Sequence, residues 1–411
     1  MLKKDRHIPS TVSRVLAKWP GPIILIAIAQ LFGTSLWFSI NGVMDDLQLI
    51  WALNASELGW LTAAVQLGFI SGTLFLSLTN LADKFNASHI FIISCILGAF
   101  FNSIFTWITA QYPVVWLFRF CVGLCLAGIY PIGMKLIVSW SQQHQGLALS
   151  YLVGMLTLGT ASPFGLSFLS TGLNWQFVIN FSSLLALAGG LFVFLLGEGP
   201  YLQPQEVSHV DRTTTISRVV NAFRNKQFRA ASFGYFGHMW ELYSFWTIVP
   251  LYIAHMQLGK ALKTANTALV FFVIAAGALG SIVGGQLSRL IGNAPIALSS
   301  LAISGLCCFS LLLSLILKIH LSPVLIYSIL IIWGATVVAD SPQFSAISVQ
   351  SCPKGLVGSA LAVQNAIGFF ITVVSIALTS YAYENIGMLS ATVLLLGPIV
   401  GLSGYFISIK K

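Results

Sequence analysis

Arg119, Glu241 and Asp340 sit deep inside apolar stretches of this chain. A charge in hydrocarbon is costly, so such residues face a bundle interior or a wet passage, where they bind ions or polar solutes or relay protons. Glu241 lies roughly 16 Å along its helix, near the middle of the stretch. A carboxyl at that depth can take up and release a proton as its access to water changes. His238 precedes it by three residues, one turn away on the same face, and can share that proton. The expected chemistry is proton coupling by Glu241 and His238. The alternative is a structural hydrogen bond that pins the helix.

Arg119 offers a planar fork of donors suited to a substrate carboxylate. It could instead hold a neighbouring helix through backbone carbonyls. Asp340 precedes Ser341 and Pro342, where proline frees a carbonyl and permits a bend. It either switches partners as a cavity closes, with Arg289 as a further gating residue, or forms a fixed salt bridge to Arg289 or Lys354.

Uncharged groups supply the rest of a candidate site. Gln30, Thr34, Trp37 and Asn41 are spaced four, three and four apart, one polar stripe on a continuous helix. An aromatic ring beside amides suits an organic solute. Tyr130, Tyr243, Trp246, Gln364 and Asn365 are candidates for the same space. Any one of these, like Thr62, Gln66 and Thr372, could equally glue helices together at about 0.6 kcal/mol.

The chain that positions them is 57% hydrophobic and only 8% charged. A soluble domain is nearer a quarter charged, so the class is an all-α, polytopic membrane protein. The net charge of +9 does not imply nucleic acid, because the cations gather in short loops. Six cysteines show no metal-ligand spacing and read as small core residues, and no cofactor or metal is expected.

Twelve stretches are long and apolar enough to span a bilayer: 21–43, 57–80, 89–109, 112–138, 145–170, 175–197, 230–255, 265–288, 294–317, 322–348, 356–382 and 387–408. The first is too long for a signal-peptide core and reads as an uncleaved helix. With both termini cytoplasmic, sixteen of the twenty Lys and Arg residues fall inside, three fall outside, and Arg119 is the remaining one. That asymmetry sets the orientation, as expected for a bacterial inner membrane. One long polar segment, 198–229, divides a six-helix bundle at 1–197 from a second at 230–411. Its 216–228 part could lie along the inner surface.

The halves are pseudo-symmetric. Gly146, Leu147, Ser150 and Gly159 match Gly355, Leu356, Ser359 and Gly368 at an offset of 209, and Gly123 and Pro131 match Gly334 and Pro342 at 211. Parallel repeats place a solute site at the midplane between them. Over nearly its whole length the chain resembles the major facilitator superfamily. Asp83 and Lys84, in Leu81-Ala82-Asp83-Lys84-Phe85-Asn86, stand where that family has an inner-loop D-R/K motif; Asn86 replaces its glycine. Arg119 and Gly123 fit the R-x-x-x-G pattern of its fourth helix. The resemblance implies that helices one, four, seven and ten line the cavity, that Asp83 and Lys84 latch helices at the inner face, and that Arg119 acts in proton relay.

The expected function is secondary transport of a small organic solute, carboxylate-bearing if Arg119 binds it, by alternating access with proton coupling. The alternative is proton-driven export of drug-like compounds, metabolites or siderophores. The expected partners are the solute, protons and the bilayer, with a monomeric protein. No G-x-x-x-x-G-K-[ST] loop supports ATP hydrolysis and no H-E-x-x-H pair supports an intramembrane enzyme.

Overall fold

The computed structural model describes residues 21–79, 81–107, 112–141, 145–170, 172–201, 222–352 and 357–410. Among these there is no strand. The N-terminal tail, most of the 198–229 segment and Lys354 lie outside the described residues.

The helices run in chain order: α1 Gly21–Thr34, α2 Met44–Trp51, α3 Ala55–Thr79, α4 Leu81–Lys84, α5 Ala87–Ile104, α6 Tyr112–Leu126, α7 Tyr130–Ser139, α8 Gln145–Leu169 and α9 Trp175–Leu196. There follow α10 Lys226–His255, α11 Leu258–Ala261, α12 Asn266–Ile291, α13 Asn293–Ile316, α14 Pro323–Ala339, α15 Ser341–Ser351, α16 Val357–Ile386 and α17 Ala391–Lys410. Nine stretches of the described residues are long and apolar enough to cross a membrane; one of them, 363–410, takes in both α16 and α17. The α10 helix, which carries Lys226, Arg229, His238 and Glu241, is not among the nine.

Three expected helices are broken. The first stops at Thr34, passes through a turn at 35–40, and resumes as a 3-10 turn at Asn41–Val43. The polar stripe expected on one continuous face is therefore interrupted between Thr34 and Trp37. The fourth breaks between Leu126 and Tyr130, and the tenth at Asp340. In each, a proline follows in the first turn of the next segment, Pro131 in α7 and Pro342 in α15. Proline at that position loses no helical bond but prevents the preceding helix from running through.

Packing puts α1 on α8 and α9, α3 on α6, and α5 on α6 and α9; among later helices, α10 lies on α16 and α17, and α13 on α14 and α17. Two broad contacts join earlier helices to later ones, α3 with α16 and α8 with α12. Between membrane helices there is no hydrophobic driving force, so close backbone approach must supply the attraction. Gly123 shows how tight this is: a Cβ there would lie 2.1 Å from the carbonyl oxygen of Val65 and 2.8 Å from the nitrogen of Phe69. At the loop before α5, the Asn86 side chain accepts from the Ser88 N–H at 2.9 Å, while Glu198 accepts from the Ala87 N–H at 2.8 Å. Asn86 thus caps a helix where the family motif has glycine.

Gly123→Val should lower stability by at least about 1–3 kcal/mol, because α3 has no room to move. Gly146→Ala, where an added Cβ meets nothing within 4 Å, should change it by less than about 0.5 kcal/mol. Melting of the purified protein in detergent distinguishes them; equal melting temperatures would refute the tight crossing.

Candidate functional site

The break in α1 exposes carbonyls in a region without water, and Arg119 satisfies them. Fully buried on α6, it donates from one terminal nitrogen to the carbonyl of Trp37 at 2.6 Å. The other donates to the carbonyl of Leu36 at 3.2 Å, to Ser39 Oγ at 3.1 Å and to Asn102 Oδ1 at 2.9 Å. Asn102, on α5, donates in turn to the Ile179 carbonyl at 3.1 Å and Ser183 Oγ at 3.0 Å on α9. Of the alternatives open for Arg119, this geometry uses the helix anchor. Both terminal nitrogens are turned into α1 and α5, while Nε has no hydrogen-bond partner among the described residues. The residue positions the site indirectly, by fixing the turn that carries Trp37 and Phe38.

Glu241 and His238 also part company. Glu241 Oε1 accepts from Trp333 Nε1 at 2.7 Å, and its Oε2 accepts from Ser304 Oγ at 2.9 Å. His238 Nδ1 instead lies 2.7 Å from Asp340 Oδ1. The expected Glu241–His238 pair is replaced by a His238–Asp340 pair, and Asp340 does not take Arg289, whose side chain is exposed. Asp340 caps the end of α14, so the pair bridges α10 to the α14–α15 break. The Tyr235 ring lies 6.2 Å from that of His238.

Between α1, α3, α10 and α16 lies a layer of rings. Trp37 meets Phe69 at 5.0 Å, Tyr243 at 5.7 Å and Phe369 at 6.2 Å; Phe69 and Phe369 approach to 4.4 Å. Trp246 joins through Tyr243 at 5.2 Å and Phe38 at 5.8 Å, and Tyr130 through Phe69 at 6.4 Å. In this layer the indole nitrogens of Trp37 and Trp246 have no hydrogen-bond partner among the described residues. The same holds for both amide atoms of Gln30 and Gln66, Asn41 Oδ1, Gln364 Oε1 and Arg119 Nε and, beyond their contact with each other, for both ring nitrogens of His238 and both carboxyl oxygens of Asp340. Native interiors leave few such atoms, so a cluster of them calls for an explanation. Other candidates are consumed in helix contacts. Thr34 donates to the Gln30 carbonyl at 2.7 Å, Asn41 Nδ2 to Thr62 at 3.0 Å, and Gln364 Nε2 to Ser348 at 3.0 Å. Phe69 and Phe369, which sequence reasoning passed over as ordinary apolar residues, join this layer.

The two ends of the layer differ. Toward the predicted outer face, Ser56 donates to Glu384, Tyr383 donates to the Leu251 carbonyl at 3.3 Å, and α3 touches α16 where a Cβ on Gly59 would meet Ser380. Toward the predicted inner face, Asn365 is exposed, although it shares a helical face with buried Phe369 and Thr372. Of the expected latch, Lys84 is exposed and the Asp83 side chain lies outside the described residues. Lys135 donates to the Ala82 carbonyl and so ties α7 to α4.

The family model for the Major Facilitator Superfamily matches residues 23–376. The chain belongs to the major facilitator superfamily. It is thereby a multi-pass membrane protein and a secondary transporter of a small solute. Its fold is similar to a bacterial homologue of the human lysosomal transporter Spinster, inward-facing and unoccupied, with TM-score 0.68, 14% identity and 98% of each chain covered. It is also similar to a mutant of the nucleoside transporter NupG, with TM-score 0.66, 13% identity, and 94% of this chain and 99% of that one covered. No curated protein matches it by sequence.

In this transporter Arg119→Met should cost at least about 3 kcal/mol, since four charge-assisted hydrogen bonds are lost at once and the Trp37 carbonyl loses the side-chain donor it has here. A double-mutant cycle with Asn102→Ala should show coupling above about 0.5 kcal/mol. Wild-type melting with selective loss of anion binding would overturn the anchor assignment.

Proposed function

We propose that this transporter carries an uncharged, hydrogen-bonding organic solute with a flat or apolar face, by alternating access, and couples its movement to protons through His238 and Asp340. The observation that carries the reading is the pair of partnerless indole nitrogens in the ring layer, Trp37 and Trp246, with partnerless amide atoms on the same segments, while Glu241 and both terminal nitrogens of Arg119 are taken up by neighbouring helices. Indole N–H groups and amides bind hydroxyls and ring nitrogens, and rings stack on a flat face. A nucleoside has that chemistry, as do other neutral heterocycles and sugars. Twelve crossings, in bundles at 1–197 and 230–411 joined by a cytoplasmic segment at 198–229, belong to the same proposal, as does a monomer in a bacterial inner membrane.

Support for alternating access comes from the contrast between the two ends. Ser56, Glu384 and Tyr383 seal one, and Asn365 is open at the other. Support for the coupling pair comes from its bonding. Glu241 has a donor at each oxygen and is satisfied as it stands, whereas His238 Nδ1 and Asp340 Oδ1 approach to 2.7 Å and none of the buried polar atoms of either side chain has another partner among the described residues.

A thermal-shift screen of the purified protein tests the solute class, since ligands stabilise the state they bind. Neutral nucleosides or sugars should raise the melting temperature and organic acids should not; the reverse result rejects the reading. Trp37→Phe should weaken the best ligand about tenfold, the loss of one hydrogen bond of about 1.4 kcal/mol.

Coupling is tested in vesicles. His238→Gln and Asp340→Asn should each abolish accumulation driven by a proton gradient while solute counterflow persists. Glu241→Gln should still accumulate solute. Loss of accumulation in Glu241→Gln alone would move the coupling to that carboxyl.

A further inference from the structure

Away from the central seam, a groove of about 670 Å³ opens between the start of α10 and the end of α17. Its upper rim carries Arg224, Lys226 and Arg229; its walls are Phe233, Val400 and Ile407. No acidic side chain lines it among the described residues, and the first turn of α10 contains none. Three cations therefore crowd the positive end of a 30-residue helix, an arrangement that repels itself unless an anion is present.

The walls say which anion. Phe233 is 37% exposed, Val400 52% and Ile407 54%, and α17 lies in a stretch apolar enough to cross the membrane. These side chains face the surface of the bundle at bilayer depth. Ile399 extends the wall, so that from Ser408 the groove follows α17 for about 13 Å toward the midplane. Depth comes from Gly404, where a Cβ would lie 2.5 Å from the Phe233 ring. Arg229 is preset over the groove: Nε donates to Ser408 Oγ and a terminal nitrogen to the Ser408 carbonyl, both at 3.3 Å. A free inorganic anion would use the rim and leave the apolar slot empty of purpose. A phospholipid uses both, with its phosphate among the cations and an acyl chain along the slot, and basic pockets at the cytoplasmic end of membrane helices suit anionic headgroups.

We propose that this groove between α10 and α17 binds an anionic phospholipid of the leaflet in which α10 begins, with Arg224, Lys226 and Arg229 holding its phosphate and Phe233, Val400 and Ile407 its acyl chain. Helix α10 also carries His238, so an occupied groove braces the helix on which coupling is proposed. The binding claim stands independently of the transported solute.

The test uses the full-length protein in detergent, titrated with phosphatidylglycerol, phosphatidylcholine or inorganic phosphate, and read by native mass spectrometry and melting temperature. Phosphatidylglycerol should be retained and should raise the melting temperature; the other two should do neither. The combined Arg224→Gln, Lys226→Gln, Arg229→Gln variant should bind it at least tenfold more weakly. Val400→Trp keeps every cation, changes only a lipid-exposed position and blocks the slot, so it should also lose at least tenfold. Unchanged phosphatidylglycerol binding in both variants overturns the site. Equal stabilisation by inorganic phosphate, insensitive to Val400→Trp, shows an anion site without lipid and overturns the proposal too.

Discussion

A backbone carbonyl in hydrocarbon has no water to turn to, and the architecture follows from how this chain meets that constraint. The first helix must break to bring Trp37 and Phe38 into the seam. Its freed carbonyls at Leu36 and Trp37 are taken up by Arg119 on α6, and Asn102 on α5 completes the junction. The second half repeats the arrangement with different chemistry. Glu241 on α10 is held by Ser304 on α13 and Trp333 on α14. In the expected order these are helices one, three and four, then seven, nine and ten. In both, a donor on the fourth reaches toward the first, although the charge has changed sign; in the first half Ser39 also donates back to Asn102 on the third, at 2.7 Å.

Such junctions hold each set of three helices together and leave the seam between the sets comparatively free. The seam is made of ring contacts, which tolerate sliding better than hydrogen bonds do. Where α8 meets α12 the surfaces are small: a Cβ on Gly285 would meet Ser150, and one on Gly277 would meet Val338 and Thr157. Small side chains at a crossing permit close approach and shear. The polarity of the molecule is thus divided by role. The hydrogen-bonded groups around Arg119 and Glu241 sit inside each half, and the ring contacts lie between them.

Much of this was legible in the sequence. Helical segments fall in every expected stretch, because apolar runs of bilayer length are an unambiguous signal. The bend at Pro342 is legible from its proline; Pro131 offers the same signal, but 112–138 reads as one continuous helix. The break after Thr34 offers no such signal, since LFGTSLWFS contains neither proline nor a polar run, and the stripe from Gln30 to Asn41 looked continuous. The partners of the charges were illegible for a related reason. His238 and Glu241 are a turn apart, yet three residues advance a helix by about 300°, leaving their side chains about 60° apart in direction. That is enough for one to meet Ser304 and Trp333 and the other to meet Asp340. Sequence spacing gives neighbours along a helix, while a bond to another helix depends on its rotation and depth.

In the proposed coupling, with Glu241 and both terminal nitrogens of Arg119 taken up by neighbouring helices, a proton would influence the solute through helix position and not by direct attraction. The connections for this are present. Asp340 ends α14 and adjoins α15, which packs on α10. Ser348 of α15 accepts from Gln364 of α16 at 3.0 Å, and α16 carries Phe369 into the ring layer. In the proposed coupling, a change at the His238–Asp340 contact would shift α15 against α10, and α15 is tied to the helix that forms one wall of the seam. Asn365 is exposed beside Gln364, so the end of α16 that would have to swing is the end that is already open.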